Sequence, residues 1–256
     1  MFQSYALFPH LSAFENVAFG LRLKKLPDAD VRRRTEAGMA TVGLTGFETR
    51  KPGEMSGGQQ QRLALARSLV MEPKVLLLDE PLSNLDARLR LEMRNELQRV
   101  QKDTGITMVF VTHDQSEALA LADRIVLMKD GRIDQLGTPA ELYSAPESAF
   151  AADFMGFENI FRVEGGMLVS DHGRLPMGFE AQSPFLAWRP AGVTVGTGPH
   201  KGRVVSSSFA GGHREYVLES DLGPIKADAP VEVPQVSIGE VLAFDLPQPT
   251  ARALPR

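Results

Sequence analysis

The run Val75-Leu76-Leu77-Leu78 contains no polar residue, and two acids, Asp79 and Glu80, follow it directly. A strand without polar alternation suits a parallel sheet covered on both faces, so the run predicts an α/β domain with this strand inside it. In open α/β sheets ligands bind at the carboxyl ends of the strands, which places Asp79 and Glu80 at the mouth of a site. One carboxylate there can hold Mg2+ while its neighbour orients a water. Taken alone, the same run is also an acidic turn after a core strand.

The surrounding residues narrow that choice. Upstream, Ser56-Gly57-Gly58 precedes a segment, Gln59 to Met71, in which Leu63, Ala66, Leu69 and Val70 recur at helical spacing. The glycines therefore open a helix, where free N–H groups, the positive dipole end and the Ser56 hydroxyl suit an anion such as a phosphate. Without its neighbours, Ser-Gly-Gly is an ordinary capped turn. Downstream, Ser83-Asn84-Leu85-Asp86 leads into an amphipathic helix with Leu89, Met93, Leu97 and Val100 on one stripe and its arginines and glutamates toward water. A second apolar strand, Ile106 to Val111, ends in Thr112-His113-Asp114 and again sets a polar residue, His113, at a strand's carboxyl end. A lone histidine in that position is more often structural than catalytic.

In this order the motifs resemble those of the ATP-binding subunits of ABC transporters. Ser56-Gly57-Gly58-Gln59 looks like the family's signature motif, Val75 to Glu80 like Walker B, Ser83 to Asp86 like the D-loop and His113 like the switch histidine. The start, Met1 to Leu11, is similar to the Q-loop and the region after it, which makes Gln3 the lever glutamine. Met55 stands where leucine is usual before the signature serine, an exchange of similar volume. The resemblance covers essentially the whole chain and implies ATP and Mg2+ as ligands. It implies that Glu80 polarises the attacking water, Asp79 reaches Mg2+ through water, Gln3 senses the metal and the γ-phosphate, and His113 clamps that phosphate. Phosphoryl transfer needs mainly positioning and charge stabilisation, so such a set is chemically sufficient.

One part of the family pattern is missing. No G-x-x-x-x-G-K-S/T loop occurs in these 256 residues, and that loop's backbone N–H groups and lysine supply most of the positive charge that holds a triphosphate. The expected fold is thus an incomplete ABC-type P-loop NTPase domain over residues 1–157, with a helical subdomain at about 8–71. The chain is expected to be inactive alone and to offer its signature motif to a second ATP-binding subunit. Alternatives to a shortened importer ATPase are a non-catalytic module that completes a partner's site, or a soluble ABC protein of DNA repair or translation, which the C-terminal half disfavours.

Local signals complete the outline. Ser12 with Glu15 reads as a capping box, Asp28 as the cap of a second helix and Gly43 as its stop. Phe8, Leu11, Phe14 and Phe19 either fill a small helical core or, as the resemblance implies, form the groove that receives a permease subunit of the membrane. Asp114 and Glu117 open a short helix, and Asp130-Gly131 turns a hairpin between Arg124–Lys129 and Arg132–Leu136. Thr138-Pro139-Ala140-Glu141 starts another helix, and a last one runs from about Ser148 to Met155 and ends at Gly156. From Glu158 the texture becomes that of short strands and turns. In the importer branch of the family a small β-barrel-like domain of oligonucleotide-binding type, the TOBE domain, occupies residues equivalent to 158–247, and Ala187-Trp188-Arg189-Pro190 matches part of it. Nucleic acid is not an expected partner, because this half lacks a basic stripe with aromatics and the formal net charge is -4. The tail from Pro247 to Arg256 is expected to be disordered.

No apolar run approaches the roughly 20 residues of a membrane-spanning helix, and there is no cysteine, so disulfides and thiolate metal sites are excluded. The resemblance implies a cytoplasmic protein, peripheral on the inner face of the cell membrane, linked only indirectly to a solute-binding protein. The transported solute is not legible.

Overall fold

The computed structural model describes residues 6–233 and 235–255. The chain divides into two compact units, Met1–Ala122 and Asp123–Arg256. The division falls earlier than the change of texture at Glu158, because the hairpin and short helices after Ala122 associate with the β-rich part.

In the first unit three helices, α1 (Ala13–Leu23), α2 (Asp28–Thr41) and α3 (Gly57–Leu69), pack on one another. Val17, Leu21, Met39, Leu63 and Leu65 are buried between them. Ser12 caps α1 by accepting from the Glu15 N–H, as expected, but the Glu15 carboxylate pairs with Arg22 at 2.7 Å instead of closing a box. Asp28 is the first residue of α2 and not its cap, which is Pro27; proline's fixed φ and missing N–H suit a helix start. Gly43 does end that helix. Its φ of 68° lets its N–H reach Ala40 O and the Leu44 N–H reach Met39 O, the paired bonds of a Schellman turn.

β1 (Val75–Asp79) and β2 (Thr107–Val111) pair in parallel, with Leu77 opposite Val109 and Asp79 opposite Val111. Between them runs α4 (Ala87–Thr104), whose Met93, Leu97 and Val100 are buried, and after β2 comes α5 (Gln115–Leu121). The strands correct one expectation. Val75–Leu78 is covered on one face only: Leu76 and Leu78 are buried, while Val75 and Leu77 are 46% and 62% exposed, and Val109 and Val111 lie open beside them. Among the described residues no third strand pairs with either edge. The apolar run is therefore an uncovered sheet face.

The second unit begins with a hairpin, β3 (Ile125–Lys129) and β4 (Arg132–Gly137), turned by Asp130 and Gly131 at φ 50° and 74°. α6 (Pro139–Ser144) starts in a complete capping box between Thr138 and Glu141, and α7 (Ala149–Phe154) is capped by Ser148. Backbone N–H donation from Thr138 holds the exposed Glu141 carboxyl below the usual carboxylate range.

Two sheets share one apolar core. β9 (Thr194–Phe209), β10 (His213–Ser220), β11 (Gly223–Pro230) and β12 (Val241–Asp245) form the order β11-β10-β9-β12. β5 (Asn159–Glu164), β6 (Met167–Val169), β7 (Arg174–Pro176), β8 (Phe185–Trp188) and β13 (Arg252–Leu254) form the order β13-β8-β5-β6-β7. Trp188, Val204, Tyr216, Ile225 and Phe244 fill the space they enclose.

The expected disorder of the tail is wrong. Residues 248–250 make a 3-10 turn and β13 pairs with β8, Arg252 opposite Ala187 and Leu254 opposite Phe185. Composition misled because the anchors are long-range: Trp188 Nε1 donates to Pro247 O at 3.0 Å, Thr250 Oγ1 donates to Gly192 O at 2.7 Å, and Leu254 is buried.

Candidate functional site

Of the two acids expected at the strand ends, Glu80 lies against the histidine. β1 delivers Asp79 and Glu80, and β2 delivers His113, whose Nδ1 lies 3.2 Å from Glu80 Oε1. His113 is 74% and Glu80 31% exposed at the side chain, so the pair opens to solvent and does not point into the core. Asp79 is exposed as well. Glu80 has φ 40°, a left-handed conformation unusual for a residue with a Cβ. Its N–H donates to Val111 O at 2.9 Å, and Ser83 Oγ and N–H both donate to its carbonyl, at 3.0 and 3.3 Å. The strained residue is thus held between the end of β2 and the loop that follows β1.

Ser56 caps α3. Its Oγ accepts from the Gln59 N–H at 3.4 Å, and Gln59 Oε1 accepts from the Ser56 N–H at 3.0 Å. This reciprocal box occupies the oxygen as an acceptor and leaves the hydroxyl proton for a further partner. Gly57 and Gly58 become the first helical residues, whose N–H groups have no intrahelical acceptor. Ser56 and Gly57 are exposed, whereas Gly58 is packed: a Cβ there would stand 2.6 Å from Leu89 Cδ1. Met55 is buried in the core, where a thioether side chain substitutes for a branched one.

Asp86 caps α4 by accepting from the Leu89 N–H at 2.9 Å, and Asp114 caps α5 by accepting from the Glu117 N–H at 3.1 Å. One carboxylate of the expected site set, Asp86, is therefore committed to a helix start, and Asp114 opens its helix as its spacing from Glu117 predicts. Gln3 lies outside the described residues.

The aromatic cluster near the start is ordered by Asn16, which is fully buried. Its Oδ1 accepts from the Phe8 N–H at 2.8 Å, and its Nδ2 donates to the carbonyls of Phe8, Leu11 and Ser12. Phe8 stacks against Phe19 with ring centroids 4.6 Å apart, and the Arg67 guanidinium lies over Phe8 at 5.5 Å. Burial lowers the Arg67 pKa from its ordinary value. Phe14 packs into the helical core, while Phe19 is exposed.

The sequence reading missed one group. The arginines of α4 were expected to face water, yet Arg90 turns inward and donates through Nη2 to Leu85 O at 3.2 Å, with Asp114 Oδ2 3.4 Å from Nη1. The available signal was the spacing that sets Arg90 four residues after Asp86, over the loop rather than on the outer face. A fit test for Mg2+ rests on the donor set. Exposed carboxylate oxygens at a strand end suit a hard cation that keeps most of its waters and leans on substrate phosphates. Among the described residues no cluster of three or more His, Cys, Asp or Glu side chains could hold a metal ion.

The first 83 residues match the family described as ABC transporter. A Rhizobium etli protein named Fe(3+) ions import ATP-binding protein FbpC is 51% identical over 239 residues, covering 88% of this chain and 67% of the relative. Its Agrobacterium fabrum namesake is 48% identical over 238 residues, with the same coverage. A Borreliella afzelii protein named Spermidine/putrescine import ATP-binding protein PotA is 45% identical over 229 residues, covering 86% of this chain and 66% of the relative. An α/β unit of the ATP-binding type is the class that the fold and these relatives define. The chain belongs to the ABC transporter family, among ATP-binding subunits of the importer type. It spans about two thirds of the length of these relatives. No helix among the described residues is long and apolar enough to cross a membrane.

Proposed function

We propose that this chain is an ATP-binding subunit of an ABC importer that contributes the signature face of a composite ATP site, closed by a second ATP-binding subunit. The observation that carries the reading is the α3 start: an exposed Ser56 with its hydroxyl proton uncommitted, followed by an exposed Gly57 and a packed Gly58 whose N–H groups have no acceptor within the helix. These donors suit the γ-phosphate of ATP held by a partner's phosphate loop, which the 256 residues themselves do not contain. The chain's own acids stand ready for a nucleotide on their side. Glu80 accepts the proton of an attacking water and His113 beside it donates to the phosphoryl oxygens; Asp79, with Gln3, would hold Mg2+. Mg2+ supplies neutralisation of phosphate charge when bound with ATP. Within these 256 residues no phosphate loop anchors a nucleotide beside these groups.

The exposed Phe19 with its stacked neighbour Phe8 is proposed to take a helix of the permease subunits, which would hold the protein on the inner face of the cell membrane. The two-sheet part from residue 158 onward is proposed to be the regulatory TOBE domain. Ferric iron is the favoured cargo, supported by the names of the 51% and 48% identical relatives, with polyamine the second reading from the 45% identical one.

The test uses a family member that carries a G-x-x-x-x-G-K-S/T loop and whose own signature serine is changed to arginine. Adding this chain should restore ATP hydrolysis to that silenced subunit, and this chain with Ser56→Arg should not. No gain from the unaltered chain, at concentrations where the two associate, overturns the reading.

A further inference from the structure

The roles assigned to Glu80, His113 and the loop after β1 leave unused one partly exposed network built on a buried carboxylate, Glu117. Arg90, one turn into α4, reaches in three directions. Nη2 donates to the carbonyl of Leu85, inside the Ser83–Asp86 loop; Nη1 lies 3.4 Å from Asp114 Oδ2; and Nε lies 3.8 Å from Glu117 Oε1. That Nε is buried and has no hydrogen-bond partner at this separation. Glu117 is only 5% exposed at the side chain, and its other oxygen accepts from Thr112 Oγ1 at 2.6 Å. Thr112 Oγ1 in turn accepts from the Asp114 N–H at 3.0 Å. Both neighbours of His113 are therefore fixed by the same buried carboxylate and guanidinium, and the guanidinium also grips the loop that leads away from Glu80.

We propose that Arg90 and Glu117 are positioning residues that couple the Ser83–Asp86 loop to His113, so that displacement of the loop by a second subunit is felt at the histidine facing Glu80. This rests on the composite-site reading above. A carboxylate as buried as that of Glu117 requires its cation and its hydroxyl partner, and losing one leaves an uncompensated charge. The planar fork of arginine is what permits one side chain to serve a backbone carbonyl and two carboxylates; a lysine is a point charge that serves fewer of them. The long Nε contact is the slack in the linkage, one donor that a small loop shift brings within bonding distance of Glu117.

The experiment compares the full chain with its Arg90→Lys and Glu117→Gln variants by NMR. The His113 ring resonances and the amide exchange of residues 83–86 and 112–114 are followed. Arg90→Lys is expected to move the His113 ring resonances and to raise exchange in both segments by about tenfold, the loss of one charge-assisted hydrogen bond. Glu117→Gln keeps an acceptor for Thr112 and is expected to loosen residues 83–86 although it does not touch them. If Arg90→Lys frees residues 83–86 while the His113 ring and residues 112–114 stay as in the parent, the coupling is refuted; if Arg90→Lys does not fold, Glu117→Gln decides by its effect on residues 83–86. A silent mixture with the parent chain counts against the composite site only, and the NMR comparison still decides the linkage.

Discussion

Asn16 offers a calculation that starts from atoms. Its amide makes four hydrogen bonds, and Asn16→Ala removes all of them. The losses are unequal. Phe8 O keeps the Leu11 N–H and Ser12 O keeps the Asn16 N–H, so the groups left without a partner are the Phe8 N–H and the Leu11 carbonyl. An unsatisfied group of this kind costs about 1–3 kcal/mol, less where water reaches it, and both sites are partly buried. The expected destabilisation of the first unit is therefore about 3 kcal/mol, read from the midpoint of a urea titration at unchanged slope. Asn16→Asp keeps the acceptor for Phe8 but sets a carboxylate against three carbonyl oxygens and should cost at least as much. The Phe8–Phe19 ring contact should weaken in both variants. A loss below about 1 kcal/mol for Asn16→Ala would show that the amide does not organise the segment carrying Phe8.

Other consequences are equally direct. Burial lowers the His200 pKa against the opposing pull of Asp245. The unfolded chain then binds the extra proton first, so stability of the second unit should be level above the ordinary histidine value and fall as pH drops below it. His200→Gln should flatten that slope in acid unfolding curves, and an unchanged slope would contradict the burial argument. Leu254→Ala should cost about 2–4 kcal/mol because the side chain is fully buried in β13, whereas a disordered tail would give no change in thermal unfolding. The uncovered apolar face of β1 and β2 is expected to promote self-association, which Val109→Lys should reduce in light scattering; equal scattering would show that this face is not the contact.

The parts of the site that were legible in the sequence are those fixed by local physics. Ser56 caps α3 as read, with Gln59 closing a reciprocal box, Thr138 and Glu141 form the box that their spacing predicts, and Gly43 takes the left-handed turn that stops a helix. The strand-end placement of Glu80 and His113 followed from two apolar runs and the rule for parallel sheets, but their 3.2 Å approach depends on the register of β1 on β2, which no short window contains. What stayed hidden was long-range. Arg90 read as one more surface cation because the carboxylates it faces, Asp114 and Glu117, belong to a different helix and its cap. The tail looked disordered because proline content says nothing about a distant Trp188 N–H. The apolar run in β1 implied two covered faces, and only the structure shows that Val75 and Leu77 face outward.

The composite site is most directly tested by distance. The chain contains no cysteine, so Glu54→Cys beside the signature turn provides a single labelling position. A second label is set next to the phosphate loop of a complete family member, and the spin–spin distance is measured with and without a non-hydrolysable ATP analogue. The account predicts a distance that shortens and narrows when the nucleotide is added, and that does neither in a Ser56→Arg chain. A distribution indifferent to nucleotide, in a mixture shown to associate, would contradict it.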